Sequence, residues 1–550
     1  MRGEIGNMHL GGTSYDEVMG SFRWEVPQRF NIADAICEAH AASRPDAPAL
    51  IYEAADGGLR PYSFADISVA ANRFANALAG LGVGRGVVVG IHLTQCPESL
   101  IAHVAVQKLG AIALPLFSLF GPDAVGYRLS DSGARVLITT PAALERCEAA
   151  VAGVDGLGHV ITVGRRFARD PLEFWALVEQ GASRAATLAT AADDPALLIY
   201  TSGTTGNPKG ALHAQRVLIG HLPGVMMPHD FFPQPGDRFW TPADWAWVGG
   251  LLDVLFASLY HGVPVVASAR AKFDPEWAFH FMARHQIRNT FMPPTALRLM
   301  RQVPDPGARY GYRLRSVGSG GEKLGEDMIA WGRQTFGLDI SEFYGQTEVN
   351  LVVGNAPRLF GVRAGSMGRA VPGHVVEILD QAGNVLPVGS SGIVAVRRPD
   401  PVMFLEYWRK PEATSEKFRG EWCLLGDVAV KDADGYFWFQ GRDDDIISSA
   451  GYRIGPGEVE ECLSQHPAVA LAGVIGSPDP IRGEVVTAFI VPARGYPPTP
   501  ELAAEIQAFV KQRLAAHEYP RKVRFVDTMP MTVTGKIRRK DLRELDRRPG

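Results

Sequence analysis

The segment Tyr200-Thr-Ser-Gly-Thr-Thr-Gly-Asn-Pro-Lys-Gly210 concentrates hydroxyls, glycines and one lysine directly after the apolar run Ala196-Leu-Leu-Ile199. Together these residue types can hold an anion. Gly203, Gly206 and Gly210 let backbone N–H groups turn toward negative charge, Thr201, Ser202, Thr204 and Thr205 add hydroxyl donors, and Lys209 adds positive charge. Nucleotide phosphate is the natural ligand. A Walker-type loop is disfavoured, because the lysine follows Gly206 only after Asn207-Pro208, whereas that motif needs Gly-Lys-Ser/Thr.

Three further segments supply chemically different parts of one reaction: Tyr344-Gly-Gln-Thr-Glu348, Gly426-Asp427 with Gly441-Arg442-Asp-Asp-Asp445, and Thr534-Gly-Lys536. In order and spacing, the four segments resemble the adenylate-forming superfamily of acyl-CoA synthetases, luciferases and peptide-synthetase adenylation domains. The resemblance is nearest to acetyl-CoA and medium-chain acyl-CoA synthetases and runs from about Phe30 to about Leu545. It implies an AMP-forming acid–thiol ligase using ATP, CoA and Mg²⁺.

The implied reaction has two halves. A carboxylate attacks the α-phosphorus of ATP, giving acyl-AMP and pyrophosphate, and a CoA thiol then displaces AMP. Negative charge spreads over phosphate oxygens in the first transition state, so cations and N–H donors placed there supply most of the stabilisation. By the resemblance, residues 201–209 hold the β- and γ-phosphates, Glu348 helps bind Mg²⁺, and Thr347 hydrogen-bonds the α-phosphate. Tyr344, Gly345 and Gln346 border the nucleotide, Asp427 accepts both ribose hydroxyls, and Arg442 lies near the ribose. Gly320-Gly-Glu-Lys323 resembles the adenine-binding turn, making Gly321, Glu322 and Lys323 candidates. Lys536 matches the lysine that bridges carboxylate and α-phosphate.

The resemblance also implies a rotation of the C-terminal domain between the half-reactions, with Asp444 at the hinge. Ser449, Gly451, Tyr452 and Arg453 then line the CoA pantetheine tunnel. Arginines flanking Lys536 are expected to support its loop or meet CoA phosphates. Acylation of Lys536, with a protein acetyltransferase and deacetylase as partners, is expected to switch the enzyme off by removing charge.

The acyl pocket is expected between residues 240–250 and 344–350. Trp245, Trp247 and Val248 supply apolar walls, while Gly249 and Gly250 remove bulk. Acetate-specific relatives place a tryptophan where this chain has Gly345, so the floor is expected to be open. Neither segment contains Lys or Arg to pair with a second carboxylate. A monocarboxylate larger than acetate follows, medium-chain fatty acids first and aromatic acids second. Asn350 departs from the glycine of many relatives and is expected to narrow the pocket or bond a polar substrate.

These groups need elements to position them. Ser63 can cap a helix with apolar Ile67, Phe74, Leu78 and Leu81, and Val87–Ile91 reads as a following strand. The rhythm recurs at Val136–Thr139, Ala196–Ile199, Val263–Val266 and Arg315–Gly318, arguing for an α/β fold of parallel sheets covered by helices. Short β-rich pieces within about 357–440 suggest a small β-barrel-like subdomain. A small α+β domain is then drawn from a helix at Pro456–Gln465, strands at Ala472–Ile475 and Val485–Val491, a helix at Glu501–Ala516 and a strand at Val523–Val526. The expected domains are 1–442 and 443–550, with Asp443–Asp445 as a flexible acidic junction.

Composition excludes several classes. At 550 residues, 46% hydrophobic and 21% charged, the chain can build several cores. A formal net charge of −4 gives no basic field for nucleic acid. Cys37, Cys96, Cys147, Cys423 and Cys462 lie far apart, which disfavours a disulfide framework or zinc site. The N-terminal residues show no secretory pattern, and Trp245–Ser268 reads as buried helix plus strand rather than a membrane span, so a cytoplasmic enzyme is expected. A ligase loading an acyl carrier protein is the alternative, disfavoured because no carrier domain follows before Gly550. A non-catalytic nucleotide- or acyl-binding protein is disfavoured because Glu348 and Lys536 are both present.

Overall fold

The computed structural model describes residues 8, 10–164, 172–201, 207–270, 272–443, 445–449, 452–480, 482–514, 518–532 and 536–547. Among these residues, strands assemble into four sheets. One follows the spatial order Arg369–Ala370, Val353–Gly354, Ile340–Tyr344, Ser316–Gly320, Asn289–Phe291, Phe239–Trp240, Val265–Ser268, Pro48–Glu53, Leu59–Ser63. Its middle six strands are parallel, and both margins turn antiparallel.

A second sheet runs Glu406–Tyr407, Lys209–Ala214, Pro195–Thr201, Ile112–Pro115, Val88–His92, Val136–Thr139, His159–Thr162. The Ile112–Pro115 and Val136–Thr139 strands are entirely buried, consistent with a parallel sheet covered on both faces. Strand Lys209–Ala214 returns antiparallel beside Pro195–Thr201, so the phosphate-type segment spans a pair of neighbouring strands.

Local chemistry explains the helices between them. Ser63 and Asp66 form a reciprocal capping box at the start of helix Phe64–Gly80, which buries Phe64, Ile67, Ala71, Phe74, Ala75 and Leu78. Helix Pro97–Lys108 is buried almost all round, and even Lys108 lies inside, 3.2 Å from Glu38. The expected helix-plus-strand at 245–268 is present, its centre a π-helical Leu251–Phe256. Among the described residues no helix is long and apolar enough to cross a membrane. All five cysteines are buried free thiols.

The β-rich region forms a five-stranded antiparallel sheet from Val376–Leu379, Ser391–Arg397, Phe418–Arg419, Trp422–Lys431 and Phe437–Arg442. Beyond it, strands Ile447–Ser449, Tyr452–Ile454, Val469–Asp479, Gly483–Pro492 and Lys522–Phe525 make the fourth sheet. Helices Pro456–Ser464 and Pro500–Arg513 pack there over a separate core that includes Ile447, Val459, Leu463, Val474, Ile490, Ile506 and Val510. The acidic junction is less loose than its composition suggests: Asp445 is only 6% exposed and accepts from Arg543 at 2.6 Å and Arg539 at 3.4 Å.

Candidate active site

Strand register brings the ends of the phosphate-type segment together, with Thr201 opposite Lys209 and Tyr200 opposite Gly210. Thr201 Oγ1 donates to the Lys209 carbonyl at 3.4 Å. The candidates Ser202, Gly203, Thr204 and Thr205 lie outside the described residues. Lys209 Nζ stands 5.1 Å from the centroid of the Tyr407 ring, and the Tyr407 hydroxyl donates to Glu348 Oε1. A cation, a phenol and a buried carboxylate are therefore linked through one ring.

Glu348 follows strand Ile340–Tyr344 and is 6% exposed. Its carbonyl accepts from Phe404 N at 2.8 Å, while Gln346 and Val349 exchange backbone hydrogen bonds in a tight turn. Tyr344 Oη and Gln346 Nε2 both donate to Asp427 Oδ2 at 2.6 Å. Thr347 is half-buried in the same turn. Asp427 lies on strand Trp422–Lys431 directly opposite Arg442. Burial raises the Asp427 carboxyl pKa, with Arg442 and the two donated hydrogen bonds acting against that rise.

Lys536 enters the same region from the C-terminal unit. Its backbone N–H donates to Thr532 Oγ1 at 3.0 Å, and its carbonyl accepts from Thr532 N at 2.7 Å. The side chain is exposed to solvent, yet desolvation by the protein around it lowers its pKa below the ordinary lysine value. Glu322 and Asp427 oppose this desolvation, and Arg442 adds to it. The lysine tail, adenine-type turn and ribose-type aspartate thus share one electrostatic neighbourhood.

Gly321 follows strand Ser316–Gly320, and Glu322 pairs with Arg298 at 3.3 Å. The Lys323 ammonium pairs with Glu461 of the C-terminal unit at 2.5 Å. It ties the two parts of the chain together there. Arg539 is likewise occupied, making two 2.7 Å bonds to Glu460 and one of 3.1 Å to the Val474 carbonyl. Of the two expectations for the flanking arginines, support of the lysine loop fits this pairing.

The acyl-pocket glycines require a correction. A Cβ at Gly345 would stand 2.3 Å from Leu351 N, so its missing side chain accommodates the 345–351 backbone rather than leaving an open floor. At Gly250 a Cβ would meet the Asp244 carbonyl at 2.4 Å, and at Gly249 the Phe291 ring at 2.7 Å. Trp245 is 1% exposed, whereas Trp247 is half-buried beside Phe117. Asn350 Nδ2 donates to Asp253 Oδ1 at 2.8 Å, and His221 Nε2 lies 3.7 Å from the same oxygen. Burial pushes Asp253 up to about 8 and His221 down to about 4.

Sequence reading missed Asp253, His221 and Tyr407. A lone acid inside the apolar run Val248–Leu259 was the available sign for Asp253; Tyr407 had none, because its partner is remote in sequence. For CoA, Ser449 is buried opposite Tyr452 on the Ile447–Ser449 and Tyr452–Ile454 strands, with Arg453 on the latter. Gly451 and the hinge candidate Asp444 lie outside the described residues.

Among the described residues there is no cluster of three or more metal-type ligands. Glu348 nevertheless suits Mg²⁺, which binds through one or two carboxylates and completes its shell with substrate phosphates and water.

The AMP-binding enzyme family's model matches residues 37–408, and that of the AMP-binding enzyme C-terminal domain matches 458–536. Acetyl-coenzyme A synthetase of Bacillus subtilis (strain 168) is 37% identical over 547 residues, covering 96% of this chain and 94% of that protein. Acyl-coenzyme A synthetase ACSM4, mitochondrial, of Mus musculus is 34% identical over 533 residues, with 94% and 91% covered. The solved anthranilate CoA ligase AuaEII, in complex with anthranoyl-AMP, superposes with a TM-score of 0.86 at 30% identity, with 95% and 98% of the two chains covered. The chain belongs to the AMP-binding enzyme family, as an AMP-forming acyl-CoA synthetase that uses ATP, Mg²⁺ and CoA.

Proposed function

We propose that this acyl-CoA synthetase activates a medium-chain monocarboxylic acid, with Lys536 serving the adenylation half-reaction. The observation that supports this most is the shared field of Lys536, Glu322, Asp427 and Arg442. In the first step a substrate carboxylate oxygen bonds the α-phosphorus as the bond to the β-phosphate bridge breaks, releasing pyrophosphate. The Lys536 ammonium lies between attacking oxygen and α-phosphate, and Asp427 accepts the ribose hydroxyls with Tyr344 and Gln346 fixing its carboxylate. Thr201 to Lys209 hold the β- and γ-phosphates, and Thr347 the α-phosphate. Glu348 holds Mg²⁺, which neutralises phosphate charge when bound.

In the second step the thiol sulfur bonds the acyl carbon, AMP leaves with the carboxylate-derived oxygen, and the thiol proton is lost. We place the domain boundary at 442/443 and let the C-terminal unit turn about Asp444. Ser449, Gly451, Tyr452 and Arg453 then face CoA, while Lys536 withdraws. Acylating Lys536 would silence only the first step.

Medium-chain selectivity draws support from the apolar Trp245, Trp247 and Val248 wall and from the absence of Lys and Arg in segments 240–250 and 344–350. A second reading, an aromatic acid, draws support from the Asn350–Asp253 polar pair and the likeness to the anthranilate ligase. Measuring acyl-CoA formation over straight-chain, branched and aromatic acids separates them. The highest kcat/KM is expected for a medium-chain acid; a benzoate-type acid exceeding every aliphatic one would replace the first reading with the second. Running the panel with free CoA and with acyl carrier proteins tests the acceptor, and CoA is expected to react faster.

A further inference from the structure

A cavity of about 830 Å³ opens at the end of the nine-stranded sheet opposite the active site. Its lining residues stand where parallel strands begin: Arg238 precedes Phe239–Trp240, Arg288 precedes Asn289–Phe291, and Arg313 lies shortly before Ser316–Gly320. Gly321 and the Gln346–Glu348 turn lie beyond the other ends of this sheet's strands. The two sites therefore do not share a surface.

Arg44 completes the basic lining and is fixed in place. Its Nη2 lies 3.1 Å from His40 Nδ1 and donates to the His261 carbonyl at 3.3 Å, with the guanidinium over the Phe64 ring. His40 Nε2 bonds the Tyr260 carbonyl at 2.9 Å, leaving Nδ1 as the acceptor for Arg44. A Cβ at Gly262 would stand 1.1 Å from Arg44 Nη2, so the guanidinium fills the space a side chain would take. Arg238 donates to the His285 carbonyl at 3.1 Å. His261 and His285 end helices Ala257–Tyr260 and Pro275–Arg284, so satisfying C-terminal carbonyls accounts structurally for these two arginines.

That explanation does not extend to Arg288 and Arg313. Among the described residues neither side chain has a hydrogen-bond, ion-pair or ring partner, though both line the cavity. Among the described residues one carboxylate lines the cavity, Asp237, and it is already taken by Arg315 through bonds of 2.9 and 2.6 Å. Four arginines thus line a concave space of small-ligand size, and among the described residues no free carboxylate neutralises them. Arg238 and Arg288 stand level before adjacent strands about 4.8 Å apart, and Arg313 lies three residues ahead of the next strand, so the positive charge is spread over an extended ligand rather than one point. Guanidinium forks match phosphate oxygens in geometry as well as charge.

We propose that this cavity binds a small molecule bearing a pyrophosphate or longer phosphate chain, separately from the catalytic nucleotide. The test is isothermal titration of the full-length protein with inorganic pyrophosphate and, separately, with ADP, comparing wild type with the Arg288→Ser/Arg313→Ser double variant. Wild type should bind one more equivalent than the variant, or bind that equivalent at least about tenfold more tightly, with affinity falling as salt rises. Acyl-CoA synthesis and thermal midpoint should be unchanged in the variant, separating a lost site from a lost fold. A variant-sensitive equivalent seen with pyrophosphate alone assigns the free anion; one seen with ADP assigns a nucleotide source. Identical stoichiometry and affinity in the two proteins for both probes would overturn the proposal, as would binding of an acidic peptide by wild type with no variant-sensitive phosphate binding.

Discussion

Tyr407 donates its phenolic hydrogen to the buried carboxylate of Glu348, from a strand laid antiparallel against the one that begins with Lys209. The two residues are 59 apart in sequence; Tyr407 lies on a strand of the seven-stranded sheet, and Glu348 in the turn that follows strand Ile340–Tyr344 of the nine-stranded one. Burial and the Glu348 charge raise the Tyr407 pKa, keeping the phenol a donor. The pairing occupies one carboxylate oxygen of Glu348, and on the proposed reading the other would take Mg²⁺.

Tyr407→Phe keeps the ring beneath Lys209 and removes only that hydrogen bond. The apparent Mg²⁺ affinity or adenylation rate should fall about 10- to 100-fold, the usual effect of losing a partner that orients a metal ligand. Initial rates against Mg²⁺ concentration check this; an unchanged Mg²⁺ curve would mean that Glu348 does not depend on Tyr407 for metal binding.

Gly345→Ala tests the corrected pocket. With Leu351 N only 2.3 Å from the added carbon, and Leu351 itself at a φ of +54°, the turn has little room to yield. Overpacking of this kind costs about 1–3 kcal/mol. The thermal midpoint should drop and activity should decline for all acids alike. A preference shifted toward acetate at an unchanged midpoint would restore the open-floor reading.

The sequence was most legible where chemistry is local. Val136–Thr139 and Ala196–Ile199 read as strands because apolar β-formers have few other uses, and Ser63 announced its helix through its own side chain. What stayed hidden depends on tertiary approach. Gly345 looks like spare room until the Asn350–Leu351 backbone is seen against it, and nothing near Lys323 in sequence shows that Glu461 arrives beside it from the C-terminal unit. Asp445 read as part of a loose acidic linker because Arg539 and Arg543 are remote in sequence.

Asp253 gives a pH prediction with a definite sign. Its pKa rises from 3.8 to about 8 on folding through burial, so the folded protein keeps a proton that the unfolded chain releases. This favours the fold at low pH, and the advantage is lost as pH rises through about 8. Asp253→Asn can still accept from Asn350 but does not titrate. Wild type should therefore lose several kcal/mol relative to the variant between acid and alkaline pH, read as diverging thermal midpoints. Parallel midpoint curves would show that Asp253 does not titrate as its burial demands.

The most direct measurement is of Lys536→Ala in each half-reaction separately. ATP–pyrophosphate exchange should fall by about 10² to 10³ or more, while conversion of pre-formed acyl-AMP and CoA to acyl-CoA proceeds near the wild-type rate. Equal loss of both half-reactions in a folded variant, or undiminished exchange, would contradict the assignment of Lys536 to adenylation alone.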